Sequence, residues 1–256
     1  MKVGLNLYSL RNKIANEAEF LETALKVKDM GYEYMQYSGG PYDAEMIQRV
    51  SRASGMPVCL THVPMERILH DTEKLMEEHA LFGCHNIGLG AMPREVICDE
   101  ELCKKTIAQL NTAAQKMKQN GFQFFYHYHE YEFYQYNGET VFDYMIENAP
   151  DINFTVDTYW LQYGGVSVTD YIARLEGRME CVHLKDYRIA RAPENVRGFK
   201  PCICPVGDGT IDFASVVEAA KKSGAKYFLV EQDNAPEFDD PFEQVARSVR
   251  YLGEEL

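Results

Sequence analysis

Short β-type runs alternate with helical segments along the whole chain, and eight can be counted, at 3–8, 33–37, 57–62, 84–89, 123–129, 153–157, 180–185 and 227–231. The segments between them carry apolar residues at helical spacing. AEFLETALKVKDMG, ELCKKTIAQLNTAAQKMKQNG and FASVVEAAKKSG each close on a glycine suited to a helix C-terminus. Eight strand–helix units on 256 residues predict a single-domain α/β chain, 1–256, of the (β/α)8 TIM-barrel class. An open sheet of that size would leave two edges to protect. The longest stretch without a periodic pattern, 186–210 (DYRIARAPENVRGFKPCICPVGDGT), follows the seventh run and is expected as an irregular loop shaping the catalytic face.

Charge and cysteine usage narrow the function classes. With 26 basic against 39 acidic residues the formal charge is -13, which repels nucleic acid and anionic membrane. The opening MKVGLNLYSLRNK breaks its apolar stretch at Asn6, Ser9 and Arg11, so neither a signal peptide nor a membrane span is expected, and the location is read as cytoplasmic. Seven cysteines is an odd number, and Cys59, Cys84 and Cys181 fall in strand-like runs where a thiol serves as a small core residue. Cys202 and Cys204 form a C-x-C with no second pair at ligand spacing, so a thiolate metal site is not expected.

Four late runs end on residues able to bind a metal: FQFFYHYHEYE on Glu132, INFTVD on Asp157, CVHLK around His183 and YFLVE on Glu231. In a barrel the C-terminal ends of the strands converge on one pocket, so four such residues on four successive strands carry a signal that no single one does. Three carboxylates and one imidazole suit a divalent ion such as Mn, Mg, Co or Fe, with Zn also admitted. His127 and His129 stand two apart and share a face if both lie on the strand. Lys185 shares the face of His183 and is a candidate oxyanion partner. Arg188 adds a second cation, and His62 closes the third run. Tyr126, Tyr128, Tyr131, Tyr134 and Tyr136 are read mostly as packing.

YHYHEYEF, VDTYWLQYGG, HLKDYR, VGDGTIDF and FLVEQDN, with YSLR at 8–11, resemble the sugar phosphate isomerase and epimerase superfamily of xylose-isomerase-like barrels, along the whole length of the chain. The resemblance implies one divalent ion held by a strand-five Glu, an Asp, a His and a strand-eight Glu, which carry over to Glu132, Asp157, His183 and Glu231. In the 3-epimerase branch the strand-five Glu aligns with His127, so either Glu132 takes over in this chain or His127 or His129 supplies the ligand. That branch also has a His three residues after the metal Asp, where this chain has Trp160, its only tryptophan, read either as a sugar-stacking wall or as core. The DNA-cleaving branch is set aside because it needs three zincs, more histidines and a positive surface.

The expected activity is a metal-dependent isomerase or epimerase acting on a ketose, aldose or keto-sugar, with or without a phosphate. Glu132 and Glu231 form its acid–base pair, Lys185 is the oxyanion partner, and His62, His127, Trp160 and Arg188 hold substrate. The enzymatic alternative is a lyase that removes water from an inosose-like keto-cyclitol or keto-sugar, with His127 or His129 as the acid. A sugar-binding barrel without turnover is the alternative from another class. The partner is a small sugar, and the reading is compatible with a homo-oligomer.

Overall fold

The computed structural model describes residues 1–192 and 197–255. Eight parallel strands close into a barrel: β1 (Gly4–Asn6), β2 (Tyr34–Tyr37), β3 (Val58–His62), β4 (Asn86–Leu89), β5 (Gln123–His127), β6 (Asn153–Asp157), β7 (Cys181–Leu184) and β8 (Tyr227–Val230). Each pairs with its neighbour in chain order, and β8 returns to β1 through Gly4↔Leu229 and Leu5↔Val230. Each expected run contains one of these strands. Parallel strands covered on both faces read as near-continuous apolar runs, which is why they could be located.

Seven of the eight are shorter than the expected runs, and in the first and the fifth the early end bears on the site. The first stops at Asn6, whose side chain accepts the Tyr8 N–H and caps a 3-10 segment, Leu7–Lys13. The fifth stops at His127, after which the chain turns into a second 3-10 segment, Glu130–Phe133.

The helices form where the apolar spacing placed them. Glu100–Gln119 is capped by the Asp99 carboxylate on the Leu102 N–H and buries Cys103, Ile107, Leu110, Ala114 and Met117 along one stripe. Truncating a fully buried member such as Leu110 to Ala costs about 2–5 kcal/mol, the range for such cavities. The chain leaves this helix through Gly121 at φ +80°, a conformation that only glycine adopts freely, and enters β5 two residues later. Among the described residues no helix is long and apolar enough to cross a membrane. Cys59, Cys84 and Cys181 are buried and unpaired.

The stretch 186–210 is more regular than expected. Asp186–Arg191 and Phe199–Cys204 pair as an antiparallel hairpin, with Ile189 opposite Pro201, while residues 193–196 of that stretch lie outside the described residues. A proline is tolerated there because a two-stranded ribbon has a free edge on each side. The hairpin is fastened at its root by Asp186, whose buried carboxylate accepts the N–H groups of Tyr187, Gly207, Gly209, Thr210 and Ile211. Gly209 has to be glycine, since a Cβ would run into that carboxylate and the Tyr187 carbonyl.

Candidate active site

The C-terminal ends of β5 to β8 deliver four buried side chains, His127, Asp157, His183 and Glu231, such that one ligand atom of each lies within 4.8 Å of all the others. Each member is oriented by a second group. The Asp157 Oδ1 caps the helix Thr158–Tyr163 by accepting the Trp160 N–H at 3.0 Å, which leaves Oδ2 facing the pocket. Oε1 of Glu231 accepts from Asn6 Nδ2 at 2.8 Å, and Asn6 is itself held by the Ser38 hydroxyl, so Oε2 is the oxygen that faces inward.

The two imidazoles are oriented in the same way. Nδ1 of His127 lies 2.9 Å from the Gly90 carbonyl, and Nε2 of His183 lies 2.7 Å from Oε1 of Gln36. Both oxygens can only accept, so those nitrogens carry the protons and the other nitrogen of each ring turns a lone pair to the centre. The irregular register between Met35 and Gln36, where β2 pairs with β3, falls at the residue whose amide reaches across to His183.

The centre thus gathers acceptors. His183 Nδ1 is 2.7 Å from Glu231 Oε2 and 3.7 Å from Asp157 Oδ2, and His127 Nε2 is 3.3 Å from the same Asp157 oxygen. Neither His183 Nδ1 nor Glu231 Oε2 has a hydrogen bond of good geometry, although both are buried and the Lys185 ammonium lies 3.1 Å from that carboxylate oxygen. Lone pairs at this separation need a shared cation. A proton is one solution: burial opposes charge on His183, but Glu231 and Asp157 outweigh it and push its pKa up to about 9. A divalent ion is the other, and two imidazoles with two carboxylates are a donor set that suits one.

Lys185, immediately after β7, is 1% exposed and faces three carboxylates: Nζ lies 3.0 Å from Asp157 Oδ2, 3.1 Å from Glu231 Oε2 and 3.2 Å from Asp233 Oδ2. Burial works against its charge, but Asp157, then Asp233 and Glu231, more than compensate and hold it well above the usual lysine range. Burial likewise works to raise Asp157 and Glu231, and in each Lys185 is the largest opposing influence and keeps the carboxyl well below its ordinary range. For Asp233 burial prevails and its pKa rises.

A cavity of about 340 Å³ opens above this group, lined by Tyr8, His62, His127, His129, Lys185 and Asp233 among others. Its size suits a single sugar ring. The His62 and His129 rings stand 5.4 and 4.8 Å from that of His127. Burial holds both His62 and His129 well below the ordinary imidazole range, so each is a neutral ring at pH 7. Trp160 is half-buried, with its ring 4.9 Å from His129 and 5.2 Å from Lys185 Nζ.

Glu132 stands apart from the four. Its side chain turns back behind β5, where Oε1 accepts the Tyr126 hydroxyl at 2.5 Å and Oε2 the His129 N–H at 2.8 Å, closing a capping box on the 3-10 segment. Tyr126 and His127 are adjacent on the strand and point to opposite faces, so a side chain bonded to Tyr126 is on the wrong side of the wall for the pocket. The structure therefore corrects the placement expected from the sequence: His127, not Glu132, stands beside Asp157, His183 and Glu231. Arg188 is exposed on the hairpin and does not line the cavity. Asn6, Gln36 and Asp233 were not singled out in the sequence. Asn6 and Gln36 are polar residues inside apolar strands, which was the available signal, and Asp233 follows Glu231 by two.

A closed parallel barrel with a buried acid–imidazole group at its C-terminal mouth is the architecture of the xylose isomerase-like TIM barrels. The chain belongs to that family, whose model matches residues 24–254. Inosose dehydratase of Clostridium perfringens is 24% identical over 278 aligned residues, covering 93% of this chain and 88% of that protein. The solved structure of a sugar phosphate isomerase/epimerase from Parabacteroides distasonis superposes with a TM-score of 0.81 at 20% identity, covering 99% of this chain and 94% of that one. A xylose isomerase-like TIM barrel protein from Mycobacterium smegmatis, solved in complex with magnesium, superposes at 0.72 with 14% identity over 98% and 95%.

Proposed function

We propose that this chain is a metal-dependent lyase that removes water from a keto-cyclitol or keto-sugar, with the divalent ion held by His127, Asp157, His183 and Glu231. The observation that carries the reading is the asymmetry of the pocket. Carboxylates stand on the β6–β8 side, through Asp157, Glu231 and Asp233, while neutral imidazoles, His62 and His129, stand on the β3–β5 side. The pair expected for epimerisation, Glu132 with Glu231, is not brought together, because Glu132 is locked behind β5.

The ion, when bound, supplies Lewis acidity toward the substrate's carbonyl and neighbouring hydroxyl oxygens. The chain supplies the rest. His129 has Nδ1 3.3 Å from the Tyr131 hydroxyl, which leaves Nε2 for substrate. As a neutral ring it takes the proton from the carbon next to the carbonyl, and the electron pair of that bond moves into the enolate. The same imidazolium then protonates the hydroxyl on the next carbon, the C–O bond breaks, and water leaves as the carbonyl re-forms beside a new C=C bond. Lys185, held charged, stabilises the oxygen that gains negative charge. The naming of the Clostridium relative as an inosose dehydratase supports this reaction class and a neutral keto-cyclitol as substrate.

The test is incubation of Mn-loaded protein with inososes and ketoses in deuterated water, followed by NMR. Loss of water is the expected result. Exchange of the α-proton without elimination would replace the lyase by an isomerase or epimerase, and binding without exchange by a sugar-binding barrel.

A further inference from the structure

We infer that Lys185 is a built-in counter-ion that shares two carboxylate oxygens with the divalent ion and is released toward the substrate cavity when that ion binds. The inference rests on the reading above, that His127, Asp157, His183 and Glu231 hold a metal. Its basis is geometric. The ammonium lies 3.0 and 3.1 Å from Asp157 Oδ2 and Glu231 Oε2, and these are the oxygens to which both imidazole lone pairs also turn. An ammonium and a divalent ion would compete for the same two oxygens, in a site from which water is largely excluded, where like charges repel strongly. Both cannot hold those oxygens in full.

The structure also provides a place for the ammonium to go. Asp233 Oδ2, 3.2 Å from Nζ, is outside the four-residue group and partly open to the cavity, and the Trp160 ring offers a second surface that accepts a cation. A lysine stem has four rotatable carbons and can move its charge from one carboxylate to the next while its backbone stays fixed by Thr158, whose hydroxyl both accepts the Lys185 N–H and donates to its carbonyl. Metal loading would then deliver an ammonium into the cavity, where it meets substrate oxygen. By linkage, a ligand that draws Lys185 outward tightens metal binding by the same factor.

The test is calorimetric titration of Mn²⁺ alone into the full chain, as wild type, Lys185→Met, Asp233→Asn and the double variant. Lys185→Met should bind Mn²⁺ at least tenfold more tightly than wild type, because the competitor is gone. Asp233→Asn should bind it at least threefold more weakly, because the ammonium loses its retreat, and this loss should vanish in the Lys185→Met background. Unchanged or weaker binding in Lys185→Met, with wild type still binding, overturns the counter-ion role and leaves the metal site standing. Should Lys185→Met fail to fold, unchanged or tighter binding in Asp233→Asn overturns it equally. No Mn²⁺ uptake by wild type or by any variant removes the metal reading and this inference together.

Discussion

Glu132 offers a quantitative test of where the structure places it. Its carboxyl is fully buried behind β5, and burial drives its pKa from 4.5 up to about 8, against the lowering influence of the Tyr126 and His129 hydrogen bonds. A group whose folded pKa is raised contributes stability that is complete below the unfolded value and is lost as pH climbs through the folded value. The window here is therefore about pH 4.5 to 8. A 3.5-unit shift corresponds to ~5 kcal/mol in total, of which about 1 is lost by pH 5 and nearly all by pH 9. Glu132→Gln cannot ionise. Its amide oxygen can accept the His129 N–H while its NH2 donates to the Tyr126 oxygen, which already accepts the Met92 N–H and has a lone pair to spare. The stability of Glu132→Gln relative to wild type should therefore improve by roughly 4 kcal/mol between pH 5 and pH 9. Urea unfolding followed by Trp160 fluorescence and by far-UV circular dichroism, with coincident transitions, measures it. Other titrating groups act on both proteins and cancel in the difference. A difference that stays flat within about 1 kcal/mol across that range would mean that Glu132 is not buried as a raised-pKa carboxyl.

Further expectations concern the metal and the loops. His127→Ala, Asp157→Ala and His183→Ala should each lose bound Mn by elemental analysis, whereas Glu132→Gln keeps it; the reverse order for His127 and Glu132 would return the strand-five ligand to Glu132. Gln36→Leu removes the acceptor that fixes the His183 tautomer and should weaken Mn²⁺ about 10- to 100-fold with the fold intact, so an unchanged affinity would show that His183 needs no such partner. Gly209→Ala should destabilise the protein by about 2–4 kcal/mol through its clash at Asp186, read as a fall in urea midpoint. Full retention of stability would mean the 207–211 segment is free to move away.

The barrel was legible because its strands are covered on both sides and therefore apolar throughout, and because glycine-terminated helical segments separate them. Asp157, His183 and Glu231 were legible because each lies at or next to the end of such a strand. Glu132 misled because YHYHEYE stays rich in polar and aromatic residues beyond the point where the strand stops, although its alternation breaks at His129–Glu130. Nothing local in that run marks His127 as the last paired residue, and the capping box that turns the chain looks from the sequence like more strand. Asn6 and Gln36 could not be matched to their partners, which lie 225 and 147 residues away and meet them only once the barrel has closed. The hairpin after β7 was missed because its second strand contains a proline and two cysteines and only one of the β-branched residues that usually announce one, Ile203.

The exchange of a carboxylate for His127 at the fifth strand has an electrostatic consequence that ties the site together. Two carboxylates and two neutral imidazoles carry two negative charges, which a divalent ion cancels in full. A third carboxylate in the His127 position would leave one negative charge over after the ion had bound, and Lys185 would remain held by it. With His127 there, the group loaded as proposed would no longer attract the ammonium, and the next carboxylate within reach of it is Asp233 at the cavity. On the proposed metal reading, the residue that ends β5 would decide more than a ligand's identity: by setting the net charge of the loaded group, it would determine whether the lysine stays with the four-residue group or turns to the cavity.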